Sequence, residues 1–267
     1  MLLVLDIGNT NVVAALFYGD ELVHEWRMYS DTKRTSDEYT STLLSLMRDA
    51  GVSQSSVKNA IISSVVPLLI GPFISLVDRI TGKKPTIVSS ALFPKLPIKV
   101  PETAAHEIGS DLVCNAVEAY ATFQSPLIVV DFGTALTFTA LDKNGYVQGI
   151  AITPGLRTAV NSLFANTAQL PSVALEAPAD SLGVNTIHAI QAGIVLGYKG
   201  LVESLIDQQK KDLASKTGCN YEEIKVIATG GLNSVLSPIT NIFSKIDKQL
   251  TLKGLCRIAK IVGLEAK

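Results

Sequence analysis

Residues 2–10 read LLVLDIGNT, an apolar run that ends on a carboxylate, Asp6, and then turns through Gly-Asn-Thr. Leu2, Leu3, Val4 and Leu5 show no polar alternation, which predicts a strand buried on both faces. Gly8 lets the backbone approach a phosphate without a Cβ in the way, and Asn9, Thr10 and Asn11 put side-chain donors beside it. A tight turn after a core strand uses the same residues, so the stretch alone fits a ligand-binding turn and a plain one equally.

The choice between them is made half a chain later. Residues 127–141, LIVVDFGTALTFTAL, repeat the plan of residues 3–16, LVLDIGNTNVVAAL: apolar strand, Asp, apolar residue, Gly, polar residues with a Thr, second apolar strand. Each second strand reaches a hairpin turn, Tyr18-Gly19-Asp20 in one copy and Asp142-Lys143-Asn144-Gly145 in the other. Two such turns in register predict a duplicated domain, divided as residues 1–115 and 116–267.

Composition bounds the rest. A chain of 267 residues with 47% hydrophobic residues can build a large core, and it reads as a soluble globular protein. A net charge of −1 and no dense Lys/Arg block give no support to a nucleic-acid surface, and no nucleic-acid partner is expected, so anionic ligands must be held locally. Cys114, Cys219 and Cys256 lie far apart with no ligand-spaced histidine, which predicts buried thiols in a reducing compartment. The start of the chain lacks a basic signal region, Gly71 and Pro72 interrupt residues 68–77, and Lys199 interrupts residues 189–202. No membrane span is expected, and the expected location is the cytoplasm.

Between the repeats the pattern alternates. Residues up to Met28 read as a third strand, and 36–50 as a helix started by Ser36, Asp37 and Glu38 and stopped at Gly51. Residues 59–65 read as a strand ending at Pro67, 72–80 as a helix and 85–88 as a strand, an order that fits a mixed α/β sheet. Pro94, Pro97 and Pro101 make 89–103 a connection, after which 112–123 read as a helix. Asp111 therefore falls near a helix N-terminus, either as a cap together with Ser110 or as a carboxylate held for work on a substrate. In the second half, 149–155 form a strand, Arg157 begins a helix, 171–185 are a loop, and 186–208 carry a long helical pattern that Asn185-Thr186 can cap. His188 has no partner at metal spacing. Residues 225–228 read as a strand entering the Thr229-Gly230-Gly231 turn, and 250–261 as a closing helix.

If the repeats face each other, Asp6 and Asp131 converge from opposite walls. Two carboxylates about 4 Å apart repel by roughly 4 kcal/mol at an effective dielectric near 20, so they require a cation, a proton or more distance. Magnesium on a nucleotide, or a monovalent cation on one of them, meets that need. Glycine turns at Gly8, Gly133 and Gly230-Gly231, with hydroxyls at Thr10 and Thr134, suit a polyphosphate. Phosphoryl transfer needs positioning and charge neutralisation above all, with one carboxylate to orient the accepting hydroxyl, and Asp111 is the best-placed remaining acid.

An ordered set of motifs spans nearly the whole chain: DIGNTN (6–11), SSVVP (63–67), GSD (109–111), DFGTALT (131–137), ITPGL (152–156), TAQLP (167–171), GVNT (183–186), TGGL (229–232) and LTLKGL (250–255). By these the chain resembles the type III pantothenate kinases of the actin and sugar-kinase ATPase superfamily. The resemblance implies two ribonuclease-H-like (actin-like ATPase) α/β domains, each a mixed sheet with flanking helices, with an ATP cleft between them. It implies ATP-dependent phosphorylation of pantothenate, the first step towards coenzyme A. It assigns ATP phosphates and their magnesium to Asp6, Ile7, Gly8, Asn9, Thr10, Asn11, Val12 and Val13, and a further ATP contact to Thr134. Asp131 would hold potassium or ammonium. Asp111 would be the catalytic base, with Gly109, Ser110, Asp111 and Leu112 lining the pantothenate pocket, and Thr186 would reach pantothenate from the neighbouring subunit of a homodimer.

One position departs from the pattern. Leu112 stands where the family carries an arginine, and a tyrosine common upstream is missing from residues 97–108; Leu offers none of the cationic fork of Arg. Lys99, His106 and Arg157 are the candidate substitutes. Two other readings follow: a kinase of this fold for another small hydroxylated acceptor, and a nucleotide-binding accessory protein. A dinucleotide-binding Rossmann domain is disfavoured because neither glycine turn reads G-x-G-x-x-G.

Overall fold

The computed structural model of the chain describes residues 1–165, 173–231 and 233–264. In chain order the first half forms β1 (Leu2–Ile7), β2 (Asn11–Tyr18), β3 (Glu21–Tyr29), α1 (Ser36–Asp49), β4 (Asn59–Ser64), α2 (Pro67–Thr81), β5 (Thr86–Ile87) and α3 (Ser110–Phe123). The second half forms β6 (Leu127–Phe132), β7 (Ala135–Leu141), β8 (Val147–Pro154), α4 (Leu156–Ala165), α5 (Thr186–Gln191), α6 (Gly197–Thr217), β9 (Lys225–Thr229), α7 (Asn233–Leu236), β10 (Lys245–Ile246) and α8 (Leu250–Ile261).

The duplication is real at the level of topology. One sheet runs β3-β2-β1-β4-β5 and the other β8-β7-β6-β9-β10. In each, the first three strands are antiparallel neighbours and the last two join in parallel. Side-chain alternation then sorts each central strand. Leu3, Leu5 and Ile7 enter a core with α1 and α2 that includes Leu43, Met47, Phe73 and Leu76. Leu2, Val4 and Asp6 point to the other face of the sheet. Likewise Ile128, Val130 and Phe132 enter a core with Val202, Ile206 and Leu213 of α6, which leaves Asp131 on the opposite face.

The chain separates into two compact units, Met1–Ala121 together with the stretch from Leu250, and Thr122–Gln249. This differs from a division at residue 115, which would cut through α3, and it takes α8 into the first unit. The physical reason is burial: Leu252, Leu255, Ile258 and Ala259 of α8 are buried, and the helix packs on β1 and β4.

Several element ends differ from the sequence expectation. Thr35, not Ser36, caps α1, in a capping box where Glu38 N–H donates to Thr35 Oγ1 and Thr35 N–H donates to Glu38 Oε2 at 2.7 Å. α2 begins at Pro67, where a missing N–H costs nothing, and continues through Pro72. The helix expected over 186–208 runs to Thr217 through a π-turn at Ala192–Leu196. By length and composition alone it could cross a membrane. Its apolar side, however, supplies Val195, Val202, Ile206 and Leu213 to the core of the second unit. The TAQLP motif, Leu232 of TGGL and the first two residues of the 171–185 loop lie outside the described residues.

Candidate active site

The two Asp-x-Gly turns are built alike. Asp6 and Asp131 are each the penultimate residue of a central strand. Gly8 N–H donates to the Asn11 carbonyl at 3.0 Å, and Gly133 N–H to the Ala135 carbonyl at 3.1 Å. A Cβ on either glycine would lie 3.2 Å from that same carbonyl oxygen. A side chain at either position would have to push that carbonyl back by a few tenths of an ångström, so glycine lets each strand fold back tightly onto its partner and leaves its backbone open to a ligand.

In the second unit two further motifs close around the turn. A Cβ on Gly155 would sit 2.2 Å from the Gly133 carbonyl oxygen, and Gly155 N–H and the Thr158 hydroxyl both donate to the Thr134 carbonyl, at 2.9 and 2.7 Å. Gly230 has φ +88°, and a Cβ there would meet Asp131 Oδ1 at 2.7 Å. ITPGL and TGGL therefore shape the backbone around Asp131, Gly133 and Thr134. Gly155 was signalled by its place in ITPGL, whereas Thr158 lies outside every motif; sequence reasoning left both without a role.

Register brings Asp131, Thr137 on β7 and Thr229 on β9 side by side on one face. Thr229 is buried, and Thr137, 9% exposed, keeps a buried hydroxyl with no hydrogen-bond partner. A buried oxygen left unmatched beside a carboxylate is an oxygen donor set of the kind a hard cation takes. Among the described residues no three His, Cys, Asp or Glu side chains group as a metal cage.

In the first unit Ser63 lies opposite Asp6 on the parallel neighbour β4. The Ser110 hydroxyl, at the start of α3, is 2.8 Å from Ser63 Oγ and accepts the Ser64 N–H at 3.0 Å, which pins the helix to the strand end. Asp111 follows in the first turn, and its Oδ1 accepts the Leu112 N–H at 2.8 Å. A Cβ on Gly109 would lie 2.4 Å from Asp111 Oδ1, so this carboxylate conformation requires glycine at 109. Burial pushes the Asp111 carboxyl above its usual range, and the Leu112 N–H draws it part of the way back. Asp6 and Asp111 both act on Cys114, whose thiol is raised well above its usual value first by burial and then by these two charges. The two carboxylates thus share one neighbourhood inside the first unit.

Leu112 is 8% exposed and packs as core. Lys99, His106 and Arg157 are exposed side chains. Thr186 starts α5, where Asn185 Oδ1 accepts the His188 N–H at 2.9 Å. It lines an open groove of about 500 Å³ with Leu163, Val184, Ala189 and Ile190. Of the three thiols, Cys114 and Cys256 are buried as expected, whereas Cys219 is half-exposed because it lies just past the C-terminal end of α6.

A model of the type III pantothenate kinase family matches residues 2–208. A type III pantothenate kinase of Treponema pallidum is 44% identical, covering 98% of this chain and 94% of that protein. Those of Thermomicrobium roseum and Syntrophotalea carbinolica are 42% and 38% identical, covering 96% of this chain and 95% and 96% of theirs. Among solved structures, a protein from Campylobacter jejuni described as a Baf family transcriptional activator superposes with TM-score 0.57 at 19% identity, covering 97% of both chains. One from Sinorhizobium meliloti described as a 2-dehydro-3-deoxygalactonokinase gives 0.54 at 10% identity, covering 100% of this chain and 98% of its own. At such identities the two structures are similar in fold alone, the two-sheet α/β plan of actin-like ATPases and sugar kinases.

Proposed function

The chain belongs to the type III pantothenate kinase family, which phosphorylates pantothenate with ATP and a divalent metal in coenzyme A biosynthesis, and we propose how its own residues divide that work. Asp111 takes the proton of the pantothenate primary hydroxyl. As it does so the hydroxyl oxygen bonds to the γ-phosphorus, the bond from that phosphorus to the β–γ bridging oxygen breaks, and ADP leaves. The observation that carries this assignment is the Asp111 carboxylate itself: partly buried, raised in pKa, and held at the first turn of α3 in a conformation that Gly109 permits. A base nearer the working pH is more effective in general-base catalysis.

The residues from Asp6 to Val13 receive the ATP phosphates through the glycine turn at Gly8, and Thr134 adds a second nucleotide contact from its own turn. Magnesium carried by the nucleotide supplies neutralisation of phosphate charge. Asp131 holds a monovalent cation, and the unmatched Thr137 hydroxyl beside it supports that assignment. Gly109, Ser110 and Leu112 line the acceptor side.

Two copies of the chain form the working enzyme, with Thr186 contacting pantothenate bound to the partner. Supporting this is the apolar exposure near Thr186: Val184, which lines the groove with it, is 87% exposed, and the adjoining Ile187 is 51% exposed. A cytoplasmic location is proposed on the same footing, from soluble metabolic relatives and three unpaired cysteines.

The test is ADP release measured with and without pantothenate, in magnesium and potassium. Release that depends on pantothenate and is lost in Asp111→Asn supports the assignment; equal activity in the variant removes Asp111 as base. Leu112 favours one second reading, a shifted acceptor preference, because a buried leucine offers the substrate no cation. A screen of small hydroxylated acceptors in which pantothenate is preferred would reject it.

A further inference from the structure

LTLKGL has no part in the site as described, yet it forms the first half of α8, and α8 sets three residues at near one-turn spacing against α3. The Thr251 hydroxyl donates to Asn115 Oδ1 at 2.8 Å. Arg257 grips Glu118 with both arms of its guanidinium, Nε to Oε2 at 2.7 Å and Nη2 to Oε1 at 3.3 Å. Between them stands Gly254. A Cβ there would lie 2.0 Å from the Cys114 carbonyl oxygen, 2.6 Å from its carbonyl carbon and 3.1 Å from its Cα. Real Cβ atoms keep at least 3.0 Å, and the obstacle is helix backbone, which no rotamer change can move. Any side chain at 254 would part α3 from α8 by about 1 Å.

Cys114 lies less than one helical turn beyond Asp111. The turn that carries the base is therefore held from two sides, by Ser110 on the end of β4 and by Gly254 on α8. We propose that Gly254 is a positioning residue for phosphoryl transfer: by letting α8 touch the α3 backbone at Cys114, it sets where the Asp111 carboxylate stands relative to the accepting hydroxyl. The proposal rests on the reading of Asp111 as base. A misplacement of about 1 Å at a reacting group costs on the order of 100-fold in rate.

The experiment is a double-mutant cycle of wild type, Gly254→Ala, Asp111→Asn and the double variant, with kcat and both KM values measured with enzyme in excess where turnover is slow, and ATP binding measured by calorimetry. The expected result is a kcat lower by about 100-fold in Gly254→Ala with KM for ATP and ATP affinity unchanged, and no further loss when the substitution is added to Asp111→Asn. An equal loss in both backgrounds, a loss of ATP binding in step with kcat, or an unchanged kcat would each overturn the role. Full activity in Asp111→Asn would remove the base assignment itself, a result that no behaviour of Gly254→Ala alone can imitate. Should Gly254→Ala not fold, Thr251→Val and Arg257→Gln slacken the same contact without adding a Cβ, and wild-type kcat in both overturns the role.

Discussion

Ser63 on β4 and Ser110 on α3 place their hydroxyls 2.8 Å apart, and through that pair the strand end opposite Asp6 is tied to the helix turn that carries Asp111. Ser110→Ala removes this bond and the acceptor of the Ser64 N–H. A destabilisation of about 1–2 kcal/mol is expected in urea unfolding, together with a lower kcat. Wild-type stability would show that the hydroxyl pair contributes nothing to holding α3.

Asp111→Asn is expected to lower kcat by on the order of 10²–10⁴ while leaving ATP affinity intact. Its effect on stability has the opposite sign. The folded pKa lies above the unfolded value, so the native state binds the extra proton between the two, and stability falls as pH rises through that window. At neutral pH the variant, having no charge to bury, is more stable than wild type. The two melting temperatures converge as pH falls below about 3.9, the ordinary carboxylate value. A variant less stable than wild type at neutral pH would contradict the burial argument.

Thr137→Val keeps shape and removes the unmatched hydroxyl. In potassium-free buffer balanced with choline the variant is expected to melt no lower than wild type, since an unpartnered buried hydroxyl is itself a cost. The rise in melting temperature that potassium gives wild type should be weakened in the variant. An identical potassium titration in both would remove Thr137 as a ligand.

Val184→Asp places a charge on the apolar groove rim without touching a core residue. Light scattering is expected to show a monomer where wild type shows a dimer, with KM for pantothenate raised because Thr186 of the partner is lost. A dimer of unchanged mass would move the interface elsewhere.

Alkylation should separate the thiols. Burial raises Cys256 to about 11 and Cys114 well above its usual value, whereas Cys219 is half-exposed. Mass spectrometry after brief iodoacetamide treatment at neutral pH is expected to find label on Cys219 first.

Much of this was legible before any coordinates. The repeat of Asp6-x-Gly8 at Asp131-x-Gly133 gave the duplicated sheets, because a strand-turn-strand unit is encoded locally by apolar runs and glycines. Element ends were less legible. The local pattern places a helix start at Pro72, yet α2 runs through it from Pro67, since packing of Leu69, Phe73 and Leu76 outweighs one missing backbone bond. The place of α8 was not legible at all, because sequence order says nothing about which sheet a terminal helix covers.

By itself, then, the sequence determined the family, the reaction and the two carboxylate turns, all of which reside in contiguous motifs whose chemistry depends on local spacing. Only the tertiary structure decided what holds those residues. Ser63 meets Ser110 from 47 residues away, Thr137 lies opposite Asp131 through strand register, and Gly254 meets Cys114 from the far end of the chain. The physical reason is that close packing and hydrogen-bond matching act between surfaces, and a surface exists only once distant segments have folded against each other.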